Sequence, residues 1–142
     1  MRCLALGFTL GLALMLGACA SRQDGPSPAE LKVLWESQNV FPTGYKADLL
    51  AFLRTYLNDP SNIRSAGVTA PQRKSLGFGE RFVVCVRYDA RKVSGDYAGV
   101  KENMAVFVSG KLDRLIESTR ENREQCKDAA YAPFPELQRL TR

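Results

Sequence analysis

The chain contains no histidine, which removes at once the side chain that most often acts as general base near neutral pH and the commonest zinc ligand. It has four cysteines, none of them in a Cys-x-x-Cys spacing, so neither a local thiol redox motif nor a cysteine-rich metal knuckle can be built. No block of like charge occurs, and the formal net charge of +5 over 142 residues is spread along the sequence. A dedicated nucleic-acid protein shows a clustered basic stripe interleaved with aromatics, so nucleic acid is excluded as a partner. Internal repeats are absent. The one long apolar run, residues 4–16, is too short to remain as a membrane span.

That run carries the strongest motif. It follows a single charge, Arg2, and closes on Leu16-Gly17-Ala18-Cys19. A short basic start, about a dozen apolar residues and small residues before a cleavage point make a secretory signal. A signal that ends at cysteine is a lipobox, so residues 1–18 are expected to be removed and Cys19 to be acylated. Burying acyl methylenes contributes about 0.8 kcal/mol each, so two or three chains hold a protein on a membrane effectively permanently.

Residues 20–142 number 123, enough for one compact domain. With Cys3 in the signal and Cys19 acylated, Cys85 and Cys126 remain in an oxidising compartment and allow a single bridge. A redox pair and two buried free thiols are the rival readings.

Residues 19–28 hold the acylated cysteine and a tether rich in turn formers, and residues 29–142 form the domain. In residues 29–41, Leu31, Leu34 and Trp35 stand at helical spacing, with Pro42-Thr43-Gly44 after them. Trp35 is expected to cap the core, although the segment could belong to the tether. The clearest helix follows, with Tyr45, Leu49, Phe52, Leu53, Tyr56 and Leu57 on one face. Asn58-Asp59-Pro60 stops it, and Asp59 as cap with Pro60 at the first helical position predicts one more short turn through Arg64.

The period then changes to that of strands. Val68-Thr69 is a short candidate, residues 71–80 read as a polar loop, and residues 81–89 form a strand apolar on both faces. On it Phe82, Val84, Val86 and Tyr88 oppose Val83, Cys85 and Arg87. Residues 103–108 and 112–116 form a hairpin about Ser109-Gly110-Lys111. Ser118 and Glu121 have the form of a capping box for a helix through Cys126, and Pro135 opens a last short helix with Leu137 and Leu140. The order predicts an α+β domain, with an antiparallel sheet of three or four strands and helices packed on it.

Little in this pattern carries chemistry. Asp113 with Glu117, or Asp89 with Asp96, are the carboxylate pairs a hydrolase of envelope glycans could use, but each also reads as solvated strand or loop charge. Gly77-Phe78-Gly79 does not open a helix after a strand and is no phosphate loop. The best contact surface is the loop of residues 90–101, where glycines bracket Tyr97 and Arg91, Lys92 and Lys101 flank it. Tyr97 reads either as an exposed anchor with a basic rim or as a plug folded onto the sheet edge. Arg81 and Arg87 could add a basic strand face. No catalytic residue, metal ligand or cofactor is expected.

In Tyr45-Lys46-Ala47-Asp48-Leu49-Leu50, Asp59-Pro60, residues 83–88, Gly95-Asp96-Tyr97-Ala98-Gly99 and Pro133-Phe134-Pro135-Glu136-Leu137, the chain resembles small cell-envelope lipoproteins of alphaproteobacteria. That group has no assigned activity or catalytic residues. The resemblance implies an envelope lipoprotein with Cys85 paired to Cys126. In many bacterial lipoproteins an aspartate after the acylated cysteine marks retention in the inner membrane, so Ala20 implies the periplasmic face of the outer membrane. The order of helix then hairpins is similar, as fold alone, to accessory lipoproteins of the outer-membrane β-barrel assembly machinery. The resulting expectation is a non-enzymatic interaction or accessory module with an envelope protein as partner. The alternative is a small binding protein for an anionic envelope component such as peptidoglycan or lipopolysaccharide.

Overall fold

The computed structural model describes residues 25–77 and 79–141, without the side chains of residues 121 and 122. The signal segment, Cys19 and the first part of the tether lie outside the described residues. The chain is α+β, in the order α1 (Pro28–Ser37), α2 (Tyr45–Tyr56), β1 (Asp59–Val68), β2 (Gln72–Leu76), β3 (Gly79–Arg91), β4 (Lys101–Val108), β5 (Lys111–Ile116), α3 (Arg120–Cys126), β6 (Ala132–Pro133) and α4 (Pro135–Gln138). The strands form one antiparallel sheet in the order β5-β4-β3-β1-β6, and β2 also pairs with β3.

Strand β3 is buried on both faces because its apolar residues run almost without a break. Val84, Val86 and Tyr88 join Ala105 and Phe107 of β4 beneath Leu49 and Leu53 of α2, with Phe134, Leu137 and Leu140 from the chain's end. On the other face Val83 and Cys85 pack with Met104, Val106 and Cys126. Ser109 and Gly110, both at positive φ (52° and 75°), turn β4 into β5 as a two-residue hairpin, the geometry that matches strand twist. Asp48 of α2 accepts from the Leu112 N–H at 3.3 Å and lies 3.6 Å from the Lys111 ammonium, which ties the helix to this edge strand.

The sheet has six strands, not three or four: residues 59–64 lengthen the short strand expected at Val68, and residues 72–76 and 132–133 add two more. Residues 59–64, expected as a helical turn, begin β1. The Asp59 carboxylate accepts from the Ser61 N–H at 2.9 Å, and Asn62 and Ser65 take left-handed φ values of 55° and 51°. Between Asp59 and Val68 the register with β3 shifts twice, so extra residues bulge out and hide the alternation that identifies a strand. Residues 72–76, expected as loop, pair with β3 from Gly79 to Val83 as β2. This strand buries nothing fully, and polar residues therefore suffice; Arg73 and Glu80 close an ion pair at 2.8 Å across it. Thr69 bridges the gap between β1 and β2. Its N–H donates to the Cys85 carbonyl at 2.9 Å and its Oγ1 accepts the Cys85 N–H at 3.0 Å, taking the place of a backbone carbonyl.

The end of the expected tether already belongs to a helix. Ser27 caps α1, accepting from the Glu30 N–H at 3.3 Å while the Glu30 carboxylate accepts from the Ser27 N–H at 2.7 Å, and Pro28 is its first residue. No residue of α1 is fully buried, and Leu34 is exposed. The helix is held by Trp35, whose indole N–H donates to the Glu80 carbonyl at 2.8 Å and whose ring lies 3.5 Å from the Arg81 guanidinium carbon. Arg81 is only 3% exposed. It donates to the Trp35 carbonyl and, at 3.1 Å, to Gln38 Oε1, so a cation meets the negative end of the helix. Gly79 makes room for the indole, since a Cβ there would stand 3.0 Å from Trp35 Cδ1. Arg81 is therefore an internal clamp and not part of an exposed basic face, and Arg87 stacks on Tyr131 at 4.5 Å.

The Cys85–Cys126 disulfide (S–S 2.06 Å) fastens α3 to the second face of the sheet. Beyond it the chain rounds the sheet edge as β6, pairing with Gly67 and Val68. It enters the first core with Phe134, Leu137 and Leu140. The capping box expected at Ser118 involves Glu121, whose side chain lies outside the described residues; the Ser118 N–H donates to Asn103 Oδ1 at 3.1 Å, and the first helical bond, from Arg123, goes to Thr119.

Two outcomes follow from these ties. Replacing Cys85 and Cys126 together by alanine should lower unfolding free energy by about 4 kcal/mol in the chain-entropy model, measured by urea titration. Arg81→Ala should cost about 2–3 kcal/mol and free α1 while the sheet persists. Trp35, the only tryptophan, should then emit at longer wavelength, with faster amide exchange confined to α1.

Candidate functional site

A cleft of about 480 Å³ opens at the end of the sheet where β3 finishes and β4 begins. The register places its floor. Lys101 lies opposite Tyr88 and Asn103 opposite Val86, so these side chains share the face covered by α2. Tyr56, Leu57 and Asn58, at the end of α2, form one wall. Glu117 and Ser118, just after β5, form the second, and Arg91 and Lys92 at the end of β3, with Ala98 and Gly99, form the third. Sheet order sets the spacing. Glu117 follows β5 and Arg91 ends β3, with β4 between them, so the acidic and basic walls stand on strands that are not neighbours.

Within the cleft the Tyr56 hydroxyl donates to Glu117 Oε1. Because this bond stabilises the neutral phenol beside a carboxylate, the Tyr56 pKa is pushed up to about 12; partial burial and the charge of Glu117 add to the shift. Tyr88 is 6% exposed, and burial drives its pKa well above the usual phenol range, with smaller contributions from Tyr56 and Glu117. Asn103 is buried, and its bond to the Ser118 N–H holds the chain after β5 over the cleft. Lys92 and Lys101 are exposed and enter none of the ion pairs among the described residues. Arg91 approaches Asp59 at 3.7 Å, and its buried Nε has no hydrogen-bond partner.

The four residues of the expected contact loop divide into two groups. Arg91, Lys92 and Lys101 line the cleft. Tyr97 does not present itself to solvent as an anchor. Its hydroxyl donates to the Asn62 carbonyl at 2.8 Å and its ring is covered by the Arg64 guanidinium at 3.7 Å, with Arg91 at 5.3 Å. The loop is itself tied down, since the Lys92 N–H donates to the Asp96 carbonyl at 2.8 Å and the Ala98 N–H to the Ala90 carbonyl at 3.1 Å. A second, smaller hollow of about 310 Å³ lies by Gly67, Arg87 and Tyr131.

The carboxylates are not gathered into a pair. Glu117 lines the cleft, whereas Asp113 lies outside its lining and is ion-paired to Arg114 at 2.8 Å. Asp96 accepts from the Ser94 hydroxyl at 3.0 Å, and Asp89 is opposite Arg64 in the register of β1 and β3. Among the described residues no group of three or more acidic or cysteine side chains could hold a metal ion, and no helix is long and apolar enough to cross a membrane.

Tyr56, Tyr88 and Asn103 were not apparent as site residues in sequence. Tyr56 belongs to the apolar period of α2, yet it is 42% exposed because it stands one turn beyond Leu53, past the covered part of the sheet. The available signal was the pairing of two strands, which brings Lys101 opposite Tyr88.

Replacing Glu117 by Gln should return the Tyr56 pKa from about 12 toward its ordinary value of about 10, measured as the difference in tyrosinate absorbance between chains with and without Tyr56→Phe. A raised phenol pKa contributes stability below the unfolded value, lost as pH rises through the folded one. The stability of the unmodified protein should therefore fall more steeply between about pH 10 and 12 than that of Glu117→Gln. Comparison of the chain with protein-family models, curated proteins and solved structures returned no match.

Proposed function

We propose that the chain is a lipid-anchored interaction module of the cell envelope. Cys19 carries the anchor, residues 20–27 provide the stand-off, and the disulfide-braced domain engages an envelope protein at the periplasmic face of the outer membrane. The observation that most supports this reading is the Cys85–Cys126 bridge, 41 residues apart in sequence and joined across the sheet face. A cross-link of this kind belongs to an oxidising compartment, the destination that the Leu16-Gly17-Ala18-Cys19 lipobox specifies.

The second reading is a binding protein for an anionic envelope component. The cations at the cleft, Arg91, Lys92 and Lys101, favour it.

Labelling cells with radioactive palmitate should mark the intact protein and leave Cys19→Ala unlabelled and released from membranes. Mild crosslinking in native membranes should recover a discrete protein with the acylated form only. Equal palmitate incorporation in Cys19→Ala would overturn the anchor, and recovery of bulk envelope without a discrete protein would turn the assignment to the second reading.

A further inference from the structure

Extending the second reading to the chemistry of its ligand, we propose that the cleft between α2, β3, β4 and the segment after β5 binds a saccharide that carries a carboxylate. The two walls ask for different things. Arg91 and Lys92 supply positive charge on one wall, and Lys101 adds to it from the floor. Opposite them, the Tyr56 hydroxyl is committed to Glu117 Oε1, so the pair presents acceptor oxygens that can receive a ligand's hydroxyl groups. A ligand spanning both walls must therefore be anionic at one end and neutral and hydroxyl-rich at the other.

The wall at the end of α2 narrows the choice further. Tyr56, exposed at 42%, gives ring surface against which the apolar face of a pyranose can lie. About 480 Å³ accommodates a sugar ring with its substituents. Free phosphate fits less well: it is small, it would bring up to two negative charges beside Glu117, and the cleft offers it no fan of backbone N–H groups at a glycine-rich turn. A neutral sugar leaves the cations of the third wall unanswered. The shared chemistry, a carboxylate on a hydroxylated ring, occurs in the octulosonic acid of lipopolysaccharide and in the muramic acid of peptidoglycan strands freed of their stem peptides, whose lactyl carboxyl is otherwise held in an amide.

The test uses the full chain in neutral detergent micelles, titrated with N-acetylmuramic acid, with 3-deoxy-D-manno-octulosonic acid, with N-acetylglucosamine and with inorganic phosphate, and read by amide chemical shifts. At least one acidic sugar should shift Tyr88, Lys101, Asn103 and Glu117 and should bind at least tenfold tighter than N-acetylglucosamine or phosphate. The acid that binds tighter identifies the source. Lys101→Gln should weaken it about tenfold, raising salt should weaken it further, and Lys32→Gln, on α1 at the other end of the sheet, should leave it unchanged. Glu117→Gln should weaken the acidic sugar severalfold through its hydroxyls. Tighter binding on removal of this repelling charge would overturn the assignment. So would phosphate binding as well as the sugars, an acidic sugar binding no better than the neutral one, or indifference to Lys101→Gln. Failure of these titrations alongside a discrete protein crosslinked to the acylated form overturns the saccharide and leaves the anchored module standing.

Discussion

Strand β3 has to satisfy thirteen residues of backbone while both of its faces are buried, and the remaining elements are arranged around that requirement. A strand in this position cannot turn an N–H or carbonyl to water, so each edge must be paired along its length. On one side β4 meets it in unbroken register from Phe82 to Tyr88. On the other no single strand suffices: β1 covers the end near Arg91, β2 covers the end near Gly79, and Thr69 fills the interruption with its own hydroxyl. The residue served by Thr69 is Cys85, which also carries the covalent tie to α3. One position in the sheet thus joins both hydrogen-bonded edges to the cover of the second face.

The same arrangement explains how a modest amount of helix covers two faces. Helix α2 and the closing residues Phe134, Leu137 and Leu140 fill one face. The other receives only a short helix, and the cluster around Cys126 is small. A cover so thin buries too little apolar surface to dock firmly alone, at about 25 cal/mol per Å², and the cross-link compensates by limiting the unfolded chain. At the far end Arg81 does comparable work without a covalent bond. Buried among Trp35, Gln38 and the end of α1, it has carbonyl oxygens and a ring face as partners instead of a carboxylate. That combination suits guanidinium, which is weakly hydrated and stacks well.

Where the sequence pattern was strong, it identified both the element and its orientation. The period of α2, the two-faced β3, the β4–β5 hairpin and the cysteine pair were legible because each depends on local alternation or on a count of two. Of β1 only the end at Val68 was legible, and β2 was not, for opposite reasons. In β1 the alternation is broken by bulges at Asn62 and Ser65, and Asp59-Pro60 imitates the start of a helix while its carboxylate instead closes a turn on Ser61. In β2 alternation is of little use because the strand is polar and partly exposed throughout. Tyr97 illustrates a third limit, since an aromatic bracketed by glycines has the same sequence whether it projects or folds back. What decides the outcome is Arg64 and the Asn62 carbonyl, both placed by the bulged part of β1 that was not foreseen.

The cleft depends on those unforeseen features. With Asn62 in the left-handed region its carbonyl receives the Tyr97 hydroxyl, and the 90–101 loop is thereby drawn against the start of β1. Tyr97 in turn lies between Arg64 and Arg91, so the side chain at the end of β3 is steered by an aromatic ring and by Asp59. Across the sheet, buried Asn103 holds the segment after β5 through the Ser118 N–H, and the neighbouring Glu117 meets Tyr56 from α2. Each wall is thus held by contacts within the protein, leaving Lys92 and Lys101 as the exposed cations of the cleft. A ligand entering such a site has few protein groups left to order, and the entropy otherwise lost in immobilising side chains, about 0.5–1.5 kcal/mol for each, is largely spared. The folded-back Tyr97 therefore bears on recognition as a support behind Arg91, although it does not face the ligand.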